Sequence, residues 1–168
     1  RIVSGYSILQ PRVELTPESA VASPFARLCA GSHGFDPYAN AVSDVYQDLF
    51  DEGIFVGKGI YDVDAFERSQ ADRIPENTLL SHDVLEGVFG RAALVSDLTV
   101  FEDYPPTYLA YSRRQHRWAR GDWQFLRWLR ARPDGIAGGP PPRGLSLVSR
   151  WKLLDNLRRS LAPPFLVL

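Results

Sequence analysis

Two short stretches of this sequence carry residue types from which a catalytic site could be built. Residues 81–87 read S-H-D-V-L-E-G, and residues 113–123 read R-R-Q-H-R-W-A-R-G-D-W. An aspartate at a helix start can act as a general base when a hydroxyl comes within hydrogen-bond reach. The planar guanidinium of arginine suits bidentate contact with phosphate. Together the stretches predict a site that handles a phosphate leaving group and a sugar, as glycosyl transfer requires.

The aspartate of the first stretch, Asp83, also has a purely structural explanation. A carboxylate in the first turn of a helix is favoured by the helix dipole and by capping. Asp83 and Glu86 lie three residues apart and could suggest the paired carboxylates of a glycosidase. Two carboxylates on one helical face are poorly placed to flank a scissile bond from opposite sides. Asp83 alone is therefore the candidate base.

The second stretch belongs to a long helix predicted over residues 107–130. Projected at 100° per residue, the helix separates into an apolar and a polar side. The apolar side holds Tyr111, Trp118, Phe125, Leu126 and Leu129; the polar side holds Arg113, Arg117, Arg120, Gln124 and Arg127; Arg114 and Gln115 lie near the borders. A core-packed tryptophan with a solvated basic face also explains this pattern. Four arginines without an interspersed lysine or glutamate favour an anion-binding face.

Two further clusters are weaker candidates. Residues 57–59, G-K-G, lack the spacing of a phosphate-binding loop, so their glycines indicate close backbone approach. Asp62 and Asp64 could point to the same side of a strand, but they run into a predicted helix cap. The three histidines are widely scattered. The sequence therefore predicts no metal site within the chain.

Charge is distributed unevenly along the 168 residues. Residues 1–110 carry 17 acidic and 7 basic side chains, whereas residues 111–168 carry 3 acidic and 12 basic ones. The C-terminal third is therefore predicted to face anions. The single cysteine, Cys29, excludes a disulfide framework within the chain and fits a reducing, cytoplasmic setting. No apolar run approaches the ~20 residues that span a bilayer.

The predicted elements alternate between strands and helices, which indicates an α/β fold with a mixed sheet covered by helices. The predicted strands are 2–15, with an edge or bend at Pro11, a buried strand at 54–56 and an outer strand at 98–101. Besides the helix over 107–130, five helices are predicted. A short one begins at 23–24, one covers 41–50 and one covers 146–161. The other two are capped by Asp64 and Ser81 and end at about 70 and about 92. Residues 133–144 contain four prolines and four glycines and predict a linker.

These segments resemble a known family. Residues 5–13, 43–50 and 57–66, together with the two stretches above, resemble the second half of the glycosyltransferase domain of bacterial cyclic beta-1,2-glucan synthases, relatives of the cellulose, hyaluronan and chitin synthases. The resemblance covers essentially the whole chain. It implies part of the type A glycosyltransferase fold, UDP-glucose as the donor and a divalent metal, Mg or Mn.

The resemblance also implies roles for individual residues. Asp83 matches the catalytic aspartate of the family's T-E-D or S-H-D motif, which deprotonates the acceptor hydroxyl. Gln115, Arg117 and Trp118 match its Q-(Q/R)-x-R-W motif, which holds the diphosphate and stacks on the acceptor sugar. Arg114 stands where that motif begins with Gln.

Two more residues of the matched segments, Gly57 and Lys58, are added to the substrate-binding candidates. The D-x-D that binds metal and nucleotide is not in this sequence and is expected upstream of Arg1. Both ends of the chain are accordingly expected to lie inside a longer polypeptide.

The last predicted helix indicates a membrane surface. Its apolar face comprises Leu147, Trp151, Leu154, Leu157 and Leu161, and its neighbouring cations are Arg150, Lys152, Arg158 and Arg159. Such a helix suits the headgroup region of a bilayer, although a core-packed amphipathic helix gives the same pattern. We expect it to lead into a membrane segment, with the site facing the cytoplasm of a bacterial inner membrane.

The sequence thus predicts the acceptor-side half of an inverting, membrane-bound glucosyltransferase. Residues 1–132 form this half, residues 133–145 the linker and residues 146–168 the interfacial helix. The expected partners are UDP-glucose, a beta-glucan acceptor and a membrane, without nucleic acid. Two alternatives stay open: a polyanion or nucleic-acid binding module, which the acidic first 110 residues disfavour, and a beta-glucan hydrolase or phosphorylase.

Overall fold

A computed structural model describes residues 4–31, 44–71, 73–74, 77–80, 83–129 and 145–167. In these residues the order of elements is β1 (Ile8–Leu15), α1 (Pro17–Val21), α2 (Pro24–Cys29), α3 (Val45–Phe50), β2 (Ile60–Tyr61), α4 (Val63–Gln70), α5 (Asp83–Gly90), β3 (Ala92–Glu102), α6 (Tyr108–Gln124), α7 (Leu126–Leu129) and α8 (Leu147–Val167). The predicted mixed α/β class is confirmed. The architecture is compatible with part of a type A glycosyltransferase fold.

The sheet of the described residues has three strands in the order β2-β1-β3. Strand β1 pairs antiparallel with β2 and parallel with β3. Pro11 lies opposite Val95, but Arg12 lies opposite Thr99, so residues 96–98 of β3 bulge out of register. Proline interrupts the pairing because it has no N–H to donate. The sheet is therefore irregular at Pro11, where an edge or a bend was predicted.

Several local signals predicted helix ends correctly. Ser23 caps α2 by accepting a hydrogen bond from the backbone N–H of Ala26 at 2.9 Å. Thr107 caps α6 in the same way, with the N–H of Ala110 as donor. The long helix is interrupted at Phe125 and resumes as α7.

Other predicted elements are wrong in kind or extent. Ile54 and Phe55 are buried as predicted, but the segment 54–56 is not a strand. The N–H of Val56 bonds to the side chain of Gln10 rather than to the backbone of a neighbouring strand. The cap of α4 is Asp62 rather than Asp64, and its carboxylate accepts from the N–H of Ala65 at 2.8 Å. Helix α5 ends before 92, since Arg91 adopts a left-handed conformation (φ 56°) and β3 begins at Ala92.

Parts of several predictions lie outside the described residues, including the first residues of the strand 2–15 and of the helix 41–50 and the end of the helix 107–130.

Two more predictions are affected almost entirely. These are the Ser81 cap and nearly all of the linker predicted over 133–145.

The main hydrophobic core joins α5, the α6–α7 junction and α8. It consists of seven buried apolar side chains: Leu79, Leu85, Val88, Phe89, Phe125, Trp128 and Leu153. A smaller cluster of Ile8, Phe55 and Ala92 lies between the sheet and the loop 52–59. Burial of each large apolar side chain contributes about 1.5–3 kcal/mol. The main core therefore fixes the two helices that carry the candidate site residues relative to each other.

Candidate functional site

The candidate base, Asp83, is the first residue of α5 and is partly buried. Its carboxylate lies directly against Gly57, which adopts a positive φ of 86°. A Cβ atom added to Gly57 would lie 3.0 Å from both Cγ and Oδ1 of Asp83 and 3.1 Å from Oδ2. The structure therefore brings together two residues that the sequence had placed in separate motifs.

The loop that carries Gly57 is held close to α5 and β1. The N–H of Val56 donates to Oε1 of Gln10 at 3.0 Å, and Gln10 is 1% exposed in the middle of β1. A Cβ on Gly87 of α5 would lie 2.7 Å from the Cβ of Phe55. The absence of a side chain at Gly87 is what lets helix and loop approach.

Gly59 makes a similar approach, since a Cβ there would lie 2.7 Å from the carbonyl oxygen of Leu9. The prediction that the glycines of residues 57–59 permit close backbone contact is confirmed. Lys58, between them, points its ammonium to Glu102 at the end of β3, at 2.8 Å. The substrate-binding roles of Gly57 and Lys58 stay predictions.

The arginine stripe of α6 and α7 lies on the surface. Arg113, Arg117, Arg120 and Arg127 are all exposed, as the projection predicted. Gln124 of the same side is partly buried, and its side-chain oxygen accepts from the N–H of Leu80 at 2.8 Å. This bond ties the end of α6 to the segment that precedes Asp83. On the opposite side Phe125 is buried, but Leu126 is exposed, contrary to the projection.

The other motif residues of α6 are more enclosed than Arg117. Trp118 and Gln115 are partly buried. The guanidinium carbons of Arg114 and Arg159 lie 5.0 and 5.3 Å from the Trp118 ring centroid. These are cation–π distances, so both guanidinium groups pack against the partly buried Trp118 ring. Its stacking on an acceptor sugar stays a prediction.

Arg114 lies among aromatic rings. Besides Trp118, its guanidinium lies 5.9 Å from the ring centroid of Tyr104, which packs with Tyr111 and Phe25. Burial lowers the pKa of the Arg114 guanidinium from its ordinary value. Arg114 therefore differs from the exposed arginines of the stripe. Its own role in substrate binding stays a prediction.

One buried carboxylate of α6 was missed by the sequence reasoning. Asp122 is 1% exposed and accepts hydrogen bonds from Nδ2 of Asn156 at 2.6 Å and from Nε of Arg159 at 2.7 Å. Burial raises the pKa of Asp122, and the hydrogen bond and charge of Arg159 lower it only in part. The sequence could have indicated that Asp122 is buried. It lies four residues after Trp118 and three before Phe125, and therefore on the same side of the helix as both.

Helix α8 uses one face for the fold. Lys152 is 2% exposed, and its ammonium donates to the carbonyl oxygens of Glu52 and Gly53, both at 3.0 Å. Leu157 is buried, and Arg159 pairs with Asp122. The assignment of Lys152, Leu157 and Arg159 to a membrane-facing surface is therefore wrong.

The opposite face of α8 is apolar and exposed. Its exposed side chains are Leu147, Trp151, Leu154, Phe165 and Leu166, and the exposed Arg158 lies beside them. The core-packed explanation thus holds for one face of the helix, and membrane contact of the other face stays a prediction. Among the described residues no helix is both long and apolar enough to cross a membrane. The same residues contain no group of three or more His, Cys, Asp or Glu that could hold a metal ion.

Comparison with known proteins finds a similar segment in a cyclic glucan synthase. Over 164 residues, 96% of its length, the chain is 52% identical to the cyclic beta-(1,2)-glucan synthase NdvB of Rhizobium meliloti (strain 1021). This match confirms the resemblance predicted from the motifs: the chain is similar to a segment of a cyclic beta-(1,2)-glucan synthase. It spans about 5% of the length of that relative. No protein-family model matches the sequence.

Proposed function

We propose that this chain is the acceptor-side part of the catalytic domain of an inverting glucosyltransferase that extends a beta-glucan from UDP-glucose. The observation that carries the proposal is the carboxylate of Asp83, partly open at the start of α5 and pressed against Gly57. The arginine stripe of α6 supplies exposed positive charge on a helix that shares a core with α5.

In the proposed reaction, Asp83 accepts the proton of a glucan hydroxyl while that oxygen attacks the anomeric carbon of UDP-glucose. The bond from that carbon to the diphosphate oxygen breaks, and UDP leaves with the bonding electron pair. Arg117, with its exposed neighbours Arg113 and Arg120, offsets the negative charge that builds up on the diphosphate. A divalent metal bound by the synthase would help this departure by offsetting negative charge on the diphosphate.

The proposed position of the domain is at the cytoplasmic surface of a bacterial inner membrane. The support is the exposed apolar face of α8, with Trp151 and Leu154 in its middle and Arg158 beside them. An apolar stripe flanked by cations suits the boundary between lipid headgroups and acyl chains.

The proposed base is tested by Asp83→Asn in the complete synthase polypeptide. We expect UDP-glucose binding to persist and turnover to fall by at least ~10²-fold, as is typical when a general base is lost. Glu86→Gln, three residues further along α5, is the matched control and should leave turnover within about twofold of wild type. Normal turnover in Asp83→Asn would overturn the assignment.

A hydrolase would be favoured instead if the wild-type protein hydrolysed glucan in the absence of nucleotide and both variants lost this activity. Salt-sensitive RNA binding at the arginine stripe would favour the polyanion-binding alternative.

The membrane position is tested by spin labels in the synthase reconstituted into anionic vesicles. A nitroxide on Leu154→Cys should collide more often with dissolved oxygen than with a water-soluble nickel chelate. The same label on Asp103→Cys, an exposed position after β3, should show the opposite preference. Equal accessibility to the nickel chelate at both positions would contradict the proposed membrane contact.

A further inference from the structure

Asp122 occupies the junction between α6 and α8. Arg159 reaches it with two nitrogens, Nε at 2.7 Å and a terminal nitrogen at 2.8 Å, and Asn156 adds a third hydrogen bond. The carboxylate is 1% exposed, whereas the Arg159 side chain is 32% exposed. Both oxygens of Asp122 are thus used by α8.

The same guanidinium also contacts the Gln-x-Arg-Trp segment. Arg159 lies 5.3 Å from the ring centroid of Trp118, one helical turn before Asp122. The carboxylate therefore holds the guanidinium in place, and the guanidinium is one of two, with that of Arg114, that pack against the Trp118 ring. A continuous set of contacts thus runs from Asp122 on α6 to Arg159 on α8 and back to Trp118 on α6.

Stability alone is a poor explanation for this arrangement. A buried ion pair is often no more stabilising than apolar side chains of the same volume, because both charges lose their hydration. The α6–α8 junction already has an apolar core that includes Phe125 and Leu153. What a bidentate pair adds is a defined geometry, since the carboxylate and the guanidinium fix each other's orientation.

We propose that Asp122 is a positioning residue for glucan acceptor binding, acting through Arg159 on the orientation of the Trp118 ring. The inference rests on the proposed function, because it takes Trp118 to contact the acceptor. It assigns Asp122 no contact with substrate. It leaves the affinity for UDP-glucose to the exposed arginines.

The test is a steady-state comparison of Asp122→Asn with wild type in the complete synthase, with UDP-glucose and a beta-glucan oligosaccharide as varied substrates. We expect KM for the oligosaccharide to rise about tenfold, because a small misplacement of a binding group is costly. KM for UDP-glucose should stay within about twofold of wild type. Arg159→Lys keeps the charge but lacks the planar fork, and it should give the same split with a smaller rise.

The matched control is Lys152→Met. It removes a charge that is as deeply buried as that of Asp122, on a residue of α8 that bonds to the loop 52–59. A generally loosened α8 would give the same KM pattern in Lys152→Met as in Asp122→Asn and would overturn the proposal. Equal changes in both KM values, or in neither, would also overturn it.

If Asp122→Asn does not accumulate as folded protein, Arg159→Lys decides by the same criterion. Failure of the proposed function is distinguishable, because it would appear as normal turnover in Asp83→Asn.

Discussion

The carboxylates of Asp83 and Asp122 are positioned by opposite means. Asp83 is partly open and is bounded on one side by backbone, because Gly57 has no side chain. Asp122 is enclosed, and both its oxygens are bound by Asn156 and Arg159. A carboxylate that exchanges a proton with a substrate needs an approach path, whereas one that fixes geometry needs saturated hydrogen bonds. The contrast matches the two proposed roles, a reacting role for Asp83 and a positioning role for Asp122.

The largest effect that tests this comparison is expected from Gly57→Ala. The new methyl group would lie 3.0 Å from the Asp83 carboxylate, so the carboxylate must shift. We expect turnover of the synthase to fall by about tenfold or more. Gly5→Ala is the matched control, because Gly5 also has a positive φ (73°) but has open space around its Cα.

Both substitutions carry the strain of a positive φ, of order 1 kcal/mol. Only the contact with Asp83 distinguishes them. Equal losses of turnover in the two variants would mean that Gly57 matters for backbone conformation and not for the base.

An effect of intermediate size is expected from an arginine of the exposed stripe, Arg117, when it is compared with the buried pair of Arg159 and Asp122. Arg117 is exposed, whereas Arg159 is committed to Asp122. We expect Arg117→Ala to weaken UDP binding about 5- to 10-fold, with less effect on glucan binding, because a charge-assisted hydrogen bond to phosphate is lost. Arg27→Ala removes an equally exposed arginine from α2 and controls for net charge. Calorimetric titration with UDP compares the two, and equal weakening in both would reduce the role of Arg117 to long-range electrostatics.

The smallest expected effect concerns pH. Burial raises the pKa of Asp122 above its ordinary value of 3.8, so the folded state binds a proton more readily than the unfolded state. Its contribution to stability is therefore fully present below that ordinary value and is lost as pH rises through the folded-state pKa. Asp122→Asn has no such group. The melting temperature of wild type relative to Asp122→Asn should thus fall as pH is raised from about 4 to about 7; a relative rise would reverse the direction assigned to this pKa.

Local signals accounted for those parts of the fold that depend on neighbouring residues. The helix starts at Ser23 and Thr107, the irregular pairing at Pro11 and the exposed arginine stripe follow from residue types within one turn or one strand. The buried strand predicted at 54–56 failed because the backbone partner of Val56 is a glutamine side chain 46 residues away. No local pattern encodes such a bond.

The orientation of α8 failed for a different reason. This helix has apolar residues on two faces, one with Leu153 and Leu157 and one with Trp151 and Leu154. Periodicity identifies an apolar stripe but cannot say which of two stripes meets the core. In the candidate site, the motif residues were identifiable from sequence. The residues that hold them, Gln10 and Asp122, act through contacts distant in sequence.

The buried contact of Lys152 couples two parts of the molecule mechanically. Its ammonium joins α8 to the carbonyls of Glu52 and Gly53, four residues before the glycine that bounds the Asp83 carboxylate. The Glu52 carboxylate lies 3.5 Å from this ammonium and balances its charge. Both side chains are buried, so the contact is closed to solvent. A force that draws α8 away from the core must either break these bonds or drag the loop 52–59 with it. We therefore expect α8 and the loop 52–59, including Gly57, to move together as long as these bonds hold.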